Sequence, residues 1–207
     1  MEIFEHYRRI LQKMMQKDEW VEWLQYPECS ETKYFTNTIY CATGVSRCAL
    51  VDEEYDWIIK WDYQDYEFCD KEEIITKSAI HWNIDDMIAP ALYIGKYIDE
   101  ENYICLNLYA YPRAISFSSS QYKGLSKEEK KITAASPLAE RSEYIAAAFI
   151  QDWGIEKFEL LSDFCKEWDI NDIHNGNVGI VDGKIVLIDY AGFHSGDSYY
   201  SDEENPY

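Results

Sequence analysis

Residues 168–193 read WDINDIHNGNVGIVDGKIVLIDYAGF. Two short β-prone runs, Val178–Val181 and Lys184–Ile188, flank the pair Asp182-Gly183. Asp-Gly tolerates the positive φ angles of a type I′ turn, so the two runs are expected to close into a hairpin. Ahead of them Asp172 opens the run D-I-H-N-G-N, in which Asn177 lies five positions on, and Asp189 lies twelve beyond Asn177. A hairpin between Asn177 and Asp189 returns the second residue close to the first and directs two oxygen ligands at one point. Hard oxygen ligands suit magnesium. A carboxylate near an acceptor hydroxyl, a magnesium site and a cation on nucleotide phosphates are together what phosphoryl transfer requires, and Asp172 supplies the carboxylate.

Upstream, helical patterns cover about 137–151 and 155–167. The Ser-rich stretch from Pro112 to Ser136 holds Gly124 and five cations, Arg113, Lys123, Lys127, Lys130 and Lys131. It reads as a mobile loop with room for a short helix, and 113–135 is expected to be a flap that meets the substrate. Before it lie strand-like runs Leu92–Ile98 and Tyr103–Tyr109 around the acidic turn 99–102, and a helix over about 69–82. Segments 38–43, 46–51 and 56–61 read as a three-stranded antiparallel meander. The first 25 residues carry Ile3, Phe4, Tyr7, Ile10, Leu11 and Met14 at helical spacing, which predicts one amphipathic helix ending before Pro27.

The chain of 207 residues is long enough for one compact core, or for two small lobes sharing a cleft. With 47% hydrophobic and 16% aromatic residues it is too rich in core-forming side chains to be disordered. Its net charge of −20, from 39 acids against 19 bases, repels phosphate backbones and anionic lipid, which sets nucleic acid and membrane aside as partners. No apolar run approaches a membrane span of roughly 18–20 residues, and the amphipathic, charged start is unlike a signal peptide, so a cytoplasmic location is expected. The six cysteines form no C-x-x-C pair and no zinc-spaced cluster, and read as reduced thiols.

Asp172, Asn177 and Asp189 resemble, in type, order and spacing, the catalytic loop of the protein-kinase-like superfamily, which includes protein kinases, aminoglycoside phosphotransferases and choline-kinase-like enzymes. The resemblance implies Asp172 as base and Asn177 and Asp189 as metal ligands. His174 is similar to the D-x-H-x-x-N form of the small-molecule branch and is placed near the γ-phosphate. The upstream half carries the rest of the likeness. A-T-G-V-S-R, with Gly44, Val45, Ser46 and Arg47, stands where the family has its phosphate-covering loop. W-I-I-K-W puts Lys60 in the third strand, where it would hold phosphate oxygens while Ile58, on the same face, roofs the adenine. In the next helix Glu72 is favoured to pair with Lys60, with Glu73 as the alternative. The strand Ile104–Leu108 followed by Tyr109-Ala110-Tyr111-Pro112 would be the hinge offering backbone hydrogen bonds to adenine, with Leu108 and Tyr109 as nucleotide contacts.

The chain also departs from the family pattern. Ile170 stands where a His is usual and Asn171 where Arg or Gly is usual. Asp189-Tyr190-Ala191-Gly192 has its glycine one position late, and only 18 residues follow Asp189. The expected fold is therefore α+β and bilobal, a reduced kinase-like domain. It has an antiparallel-sheet N-lobe to about 111, a truncated helical C-lobe over about 112–193 and an acidic tail over 194–207. The expected function is ATP- and Mg2+-dependent transfer of the γ-phosphate to a hydroxyl, a protein Ser/Thr ahead of a small molecule. The rival is a non-catalytic nucleotide-binding or interaction module.

Overall fold

A computed structural model of the protein describes residues 2–25, 30–44, 46–63 and 66–191. Val45, Gly192, Cys29 and the acidic tail lie outside the described residues. The fold is mixed α+β, with seven α-helices and a six-stranded antiparallel sheet among the described residues. The chain divides into two compact units at Ile115/Ser116. No described helix is long and apolar enough to cross a membrane.

In the first unit, α1 (Glu2–Met14) buries Tyr7, Ile10, Leu11 and Met14, the stripe read from the sequence. The single helix expected over the first 25 residues is instead two, because α2 (Asp18–Gln25) starts afresh after a turn at Met15–Lys17. Helical geometry gives the reason. At about 100° per residue, continuing α1 would point Trp23 away from the buried stripe. The break brings both Trp20 and Trp23 into the core.

The meander follows as β2 (Ile39–Thr43), β3 (Arg47–Asp52) and β4 (Trp57–Asp62), preceded by a polar edge strand β1 (Thr32–Tyr34) that its composition did not announce. After α3 (Phe68–His81) come β5 (Leu92–Asp99) and β6 (Ile104–Pro112), giving the order β1-β2-β3-β4-β6-β5. Strand alternation then divides the sheet into two faces. Leu50, Ile59, Trp61 and Leu108 pack with α1 and α2. Ile58, Tyr109 and Tyr111 face the other way and pack with Cys69 of α3. The packing of Trp61 against the first helices agrees with the alternation read from W-I-I-K-W. Gly95 on β5 permits a close approach of α1: its φ is +141°, and a Cβ there would sit 3.0 Å from the Phe4 ring.

The second unit contains α4 (Lys127–Thr133), α5 (Pro137–Glu140), α6 (Glu143–Trp153) and α7 (Ile155–Glu167). A small sheet follows in the order β7-β8-β9, with β7 (Ile115–Ser116) starting at the unit boundary. The hairpin β8 (Val178–Val181) and β9 (Lys184–Leu187) forms as its Asp-Gly turn requires, with positive φ at both Asp182 and Gly183. The stretch 113–135 is not the loose flap expected. It contains β7 and α4, the latter started by a reciprocal Ser126/Glu129 capping box. Tyr122 donates to Asp152 at 2.9 Å, and Lys123 and Gln151 exchange backbone-to-side-chain bonds. These anchors come from α6, about thirty residues away, so local composition did not reveal them.

Candidate functional site

The second unit brings Asp172, Asn177 and Asp189 together. The loop 168–177 is anchored by Ile170 and Ile173, 3% and 1% exposed. Ile170, found where the family has His, thus serves as an anchor by burial. Asn177 is the hub. Its backbone N–H donates to the His174 carbonyl at 2.9 Å, and its side-chain amide nitrogen donates to the Asp172 carbonyl. Its own carbonyl accepts from Ile188 N–H at 3.0 Å. That last bond ties the far end of the hairpin to the start of the loop, and Asp189 is the next residue. Tyr190 and Ala191, each 1% exposed, fix the chain beyond it.

Because the Asn177 Nδ2 donates to a carbonyl, the orientation of its amide is settled. His174 accepts the Gly176 N–H at Nδ1, 3.0 Å away, which places the proton of a neutral ring on Nε2, 3.9 Å from Asp172 Oδ2. A Cβ at Gly176 would lie 2.9 Å from the His174 ring, so a larger residue there would push the ring aside. The Asp172 Oδ1 is held by Arg141 Nη1 at 2.8 Å. Arg141, the residue that follows α5, was not singled out from the sequence. No spacing rule relates two residues 31 positions apart.

In the first unit, Lys60 and Ile58 share the sheet face covered by α3, and Lys60 Nζ lies 4.4 Å above the Tyr111 ring. Glu72 is fully buried on α3. Arg47 pairs with it at 2.7 Å, and Tyr111 donates to it at 2.7 Å. Burial works to raise the Glu72 pKa, but the charges of Arg47 and Lys60 and the Tyr111 hydroxyl outweigh it and hold the carboxyl below its usual value. Glu73, the alternative partner, pairs with Lys77 on the surface at 3.1 Å.

The structure moves several expected nucleotide contacts. Arg47 is the first residue of β3 rather than part of a phosphate-covering loop, and its side chain, 10% exposed, turns inward to Glu72. Gly44 and Ser46 belong to a tight hairpin in which Gly44 N–H bonds the Arg47 carbonyl at 2.8 Å and Ser46 is 7% exposed. Leu108 faces the α1/α2 core, opposite to Lys60. Tyr109 sits within β6 and pairs with Lys60 on one side and Tyr93 on the other, while its hydroxyl bonds Asp70. The strand therefore runs on to Pro112, through the segment Tyr109-Ala110-Tyr111-Pro112 expected as a hinge. Its mid-sheet backbone groups are committed to ladder bonds. Lys60 also lies on the fourth strand rather than the third, because β1 precedes the meander.

Asp62, at the end of β4, accepts the Cys69 N–H at 2.8 Å and so caps the first turn of α3 from outside the helix. Burial raises its pKa to about 6, against the pull of the Cys69 N–H and Arg47. An acid whose pKa is higher folded than unfolded stabilises the fold most when protonated. That contribution is lost as the pH rises from about 4 through about 6. Asp62→Asn keeps the acceptor and removes the buried charge. It is expected to unfold at higher urea than the wild type at pH 7.5, with the difference shrinking toward pH 4. A variant less stable than the wild type at pH 7.5 would show that the charge is needed there.

Among the described residues no three His, Cys, Asp or Glu side chains gather as a metal cluster. The described cysteines are free thiols, four buried and Cys105 exposed. Compared with known proteins, the sequence matches no protein-family model and no curated protein.

Proposed function

We propose that the protein is an ATP- and magnesium-dependent phosphotransferase of reduced, bilobal protein-kinase-like build. The observation that carries this reading is the Ile188 N–H bond to the Asn177 carbonyl, which gathers Asp172, Asn177 and Asp189 at one end of the hairpin. An amide oxygen beside a carboxylate is the partial, hard-oxygen donor set that suits magnesium shared with nucleotide phosphates. Bound there, the metal would neutralise charge developing on the transferred group. Asp172 orients the acceptor hydroxyl and takes its proton. Asn177 fixes Asp172 through the backbone. Lys60 is the cation of the first unit assigned to phosphate oxygens. A protein serine or threonine is the preferred acceptor, and a small hydroxyl compound the second.

One observation favours a non-catalytic module instead. Arg47 gives Glu72 a structural partner other than Lys60. Incubation with labelled ATP and magnesium, alone and with lysate, separates the two readings, since a non-catalytic module binds without transferring label.

Nucleotide binding has its own test. At 100 times its dissociation constant, Mg-ATP is expected to stabilise the wild type by about 2.7 kcal/mol. Asp189→Asn removes the anionic ligand, and a hundredfold loss of affinity would cut that gain to about 0.4 kcal/mol at the same nucleotide concentration. A wild-type melting temperature unmoved by saturating Mg-ATP counts against the nucleotide site. An unchanged magnesium dependence in Asp189→Asn counts against the metal ligand.

A further inference from the structure

We propose that Arg141 is a latch on Asp172, holding its carboxylate while no acceptor is present and yielding it to an arriving hydroxyl. The inference rests on the phosphotransferase reading and adds a positioning residue to it.

Three observations carry the argument. First, Arg141 is not what places Asp172. The loop is already set by the burial of Ile170 and Ile173 and by the bond from Asn177 to the Asp172 carbonyl. The guanidinium acts on the carboxylate alone, at Oδ1, 2.8 Å away, while Oδ2 faces His174 Nε2 at 3.9 Å, beyond hydrogen-bond reach. Oδ1 is thus the oxygen whose proton-accepting lone pairs are occupied.

Second, the pair is cheap to open. Its side chains are 55% and 28% exposed, and ion pairs in such surroundings are worth about 0–1 kcal/mol. An interaction of that size gives the fold little, yet it is enough to shift the occupancy of one carboxylate oxygen severalfold.

Third, residues on either side of Arg141 in the chain line a groove. Ser136, Pro137, Ala139, Glu140 and Glu143, which bracket it in the chain, line a groove of about 590 Å³ together with Lys130 and its α4 neighbours. Lys130 bonds Glu143 across that groove at 2.8 Å. A molecule seated there meets the chain neighbours of Arg141, Glu140 and Glu143 among them. An acceptor hydroxyl then replaces the guanidinium at Oδ1 and donates its own proton to that oxygen.

A latch keeps water from using the base in the absence of an acceptor, and hydrolysis of ATP to ADP and phosphate reads this directly. With saturating Mg-ATP and no added acceptor, Arg141→Gln is expected to raise hydrolysis about threefold, the size of an ion pair worth about 0–1 kcal/mol and a modest part of the 10²–10⁴ that a positioned base contributes. Arg141→Met carries the same expectation. Arg141→Lys, which keeps the charge but loses the planar fork, should give a smaller rise. Calorimetric affinity for Mg-ATP and the melting temperature should stay close to wild type. Adding Asp172→Asn to Arg141→Gln should abolish the gain, because the gain runs through that carboxylate. Unchanged or lower hydrolysis in Arg141→Gln and Arg141→Met, with nucleotide affinity intact, overturns the latch and leaves the phosphotransferase reading standing. A wild type that neither binds Mg-ATP nor turns it over overturns both.

Discussion

Asp172→Asn is expected to lower phosphate transfer by about 10²–10⁴-fold, the contribution of a well-placed base, while leaving Mg-ATP affinity within about twofold of wild type. The separation follows from how the residue is held. Asn177 bonds the Asp172 backbone carbonyl, which the substitution keeps, and the neighbouring anchors Ile170 and Ile173 are untouched. The loop and its Asn177 oxygen therefore stay where they are. Arg141 loses its carboxylate partner, but at 55% exposure it turns to solvent at a cost of about 0–1 kcal/mol. Labelled transfer measured beside a calorimetric nucleotide titration decides the matter. Wild-type transfer rates from a well-folded Asp172→Asn protein would remove Asp172 from the chemistry.

The largest expected effect on stability lies in the first unit. Arg47→Met leaves Glu72, fully buried, without the cation 2.7 Å away and is expected to destabilise the fold by about 3–5 kcal/mol. Desolvation explains the size. A buried carboxylate costs several kcal/mol to keep ionised, and the remaining Tyr111 hydrogen bond and the Lys60 charge offset only part of that. Replacing both members, Arg47→Met with Glu72→Leu, removes the stranded charge along with its partner. That double variant should recover much of the loss. Urea unfolding of the two variants makes the comparison. A single variant within about 1 kcal/mol of wild type would mean that Lys60 or solvent reaches Glu72 once Arg47 is gone.

Much of the local structure was legible because it follows from short-range chemistry. Asp182-Gly183 dictated the β8–β9 turn, and alternation in W-I-I-K-W separated Trp61 from Ile58 and Lys60. The stripe Tyr7, Ile10, Leu11 and Met14 defined the buried face of α1. The spacing of Asp172, Asn177 and Asp189 around the hairpin also marked the residues that the structure gathers. Features were missed where a distant residue decides. The end of α1 depends on where Trp20 and Trp23 can bury, and the order in 113–135 depends on Gln151 and Asp152 of α6. The segment Tyr109-Ala110-Tyr111-Pro112 expected as a hinge is strand instead, because β5 pairs with β6 as far as Ala110 and β4 carries it on to Pro112.

The sequence by itself determined the buried stripe of α1, the meander and the hairpin, since each rests on periodicity, turn chemistry or spacing within some twenty residues. Only the tertiary structure decided which charges meet. It gave Glu72 to Arg47, 25 positions away, and Asp172 to Arg141, 31 positions away. An ion pair is selected by distance in space and by the desolvation of both partners, and neither quantity is written in the order of residues along the chain.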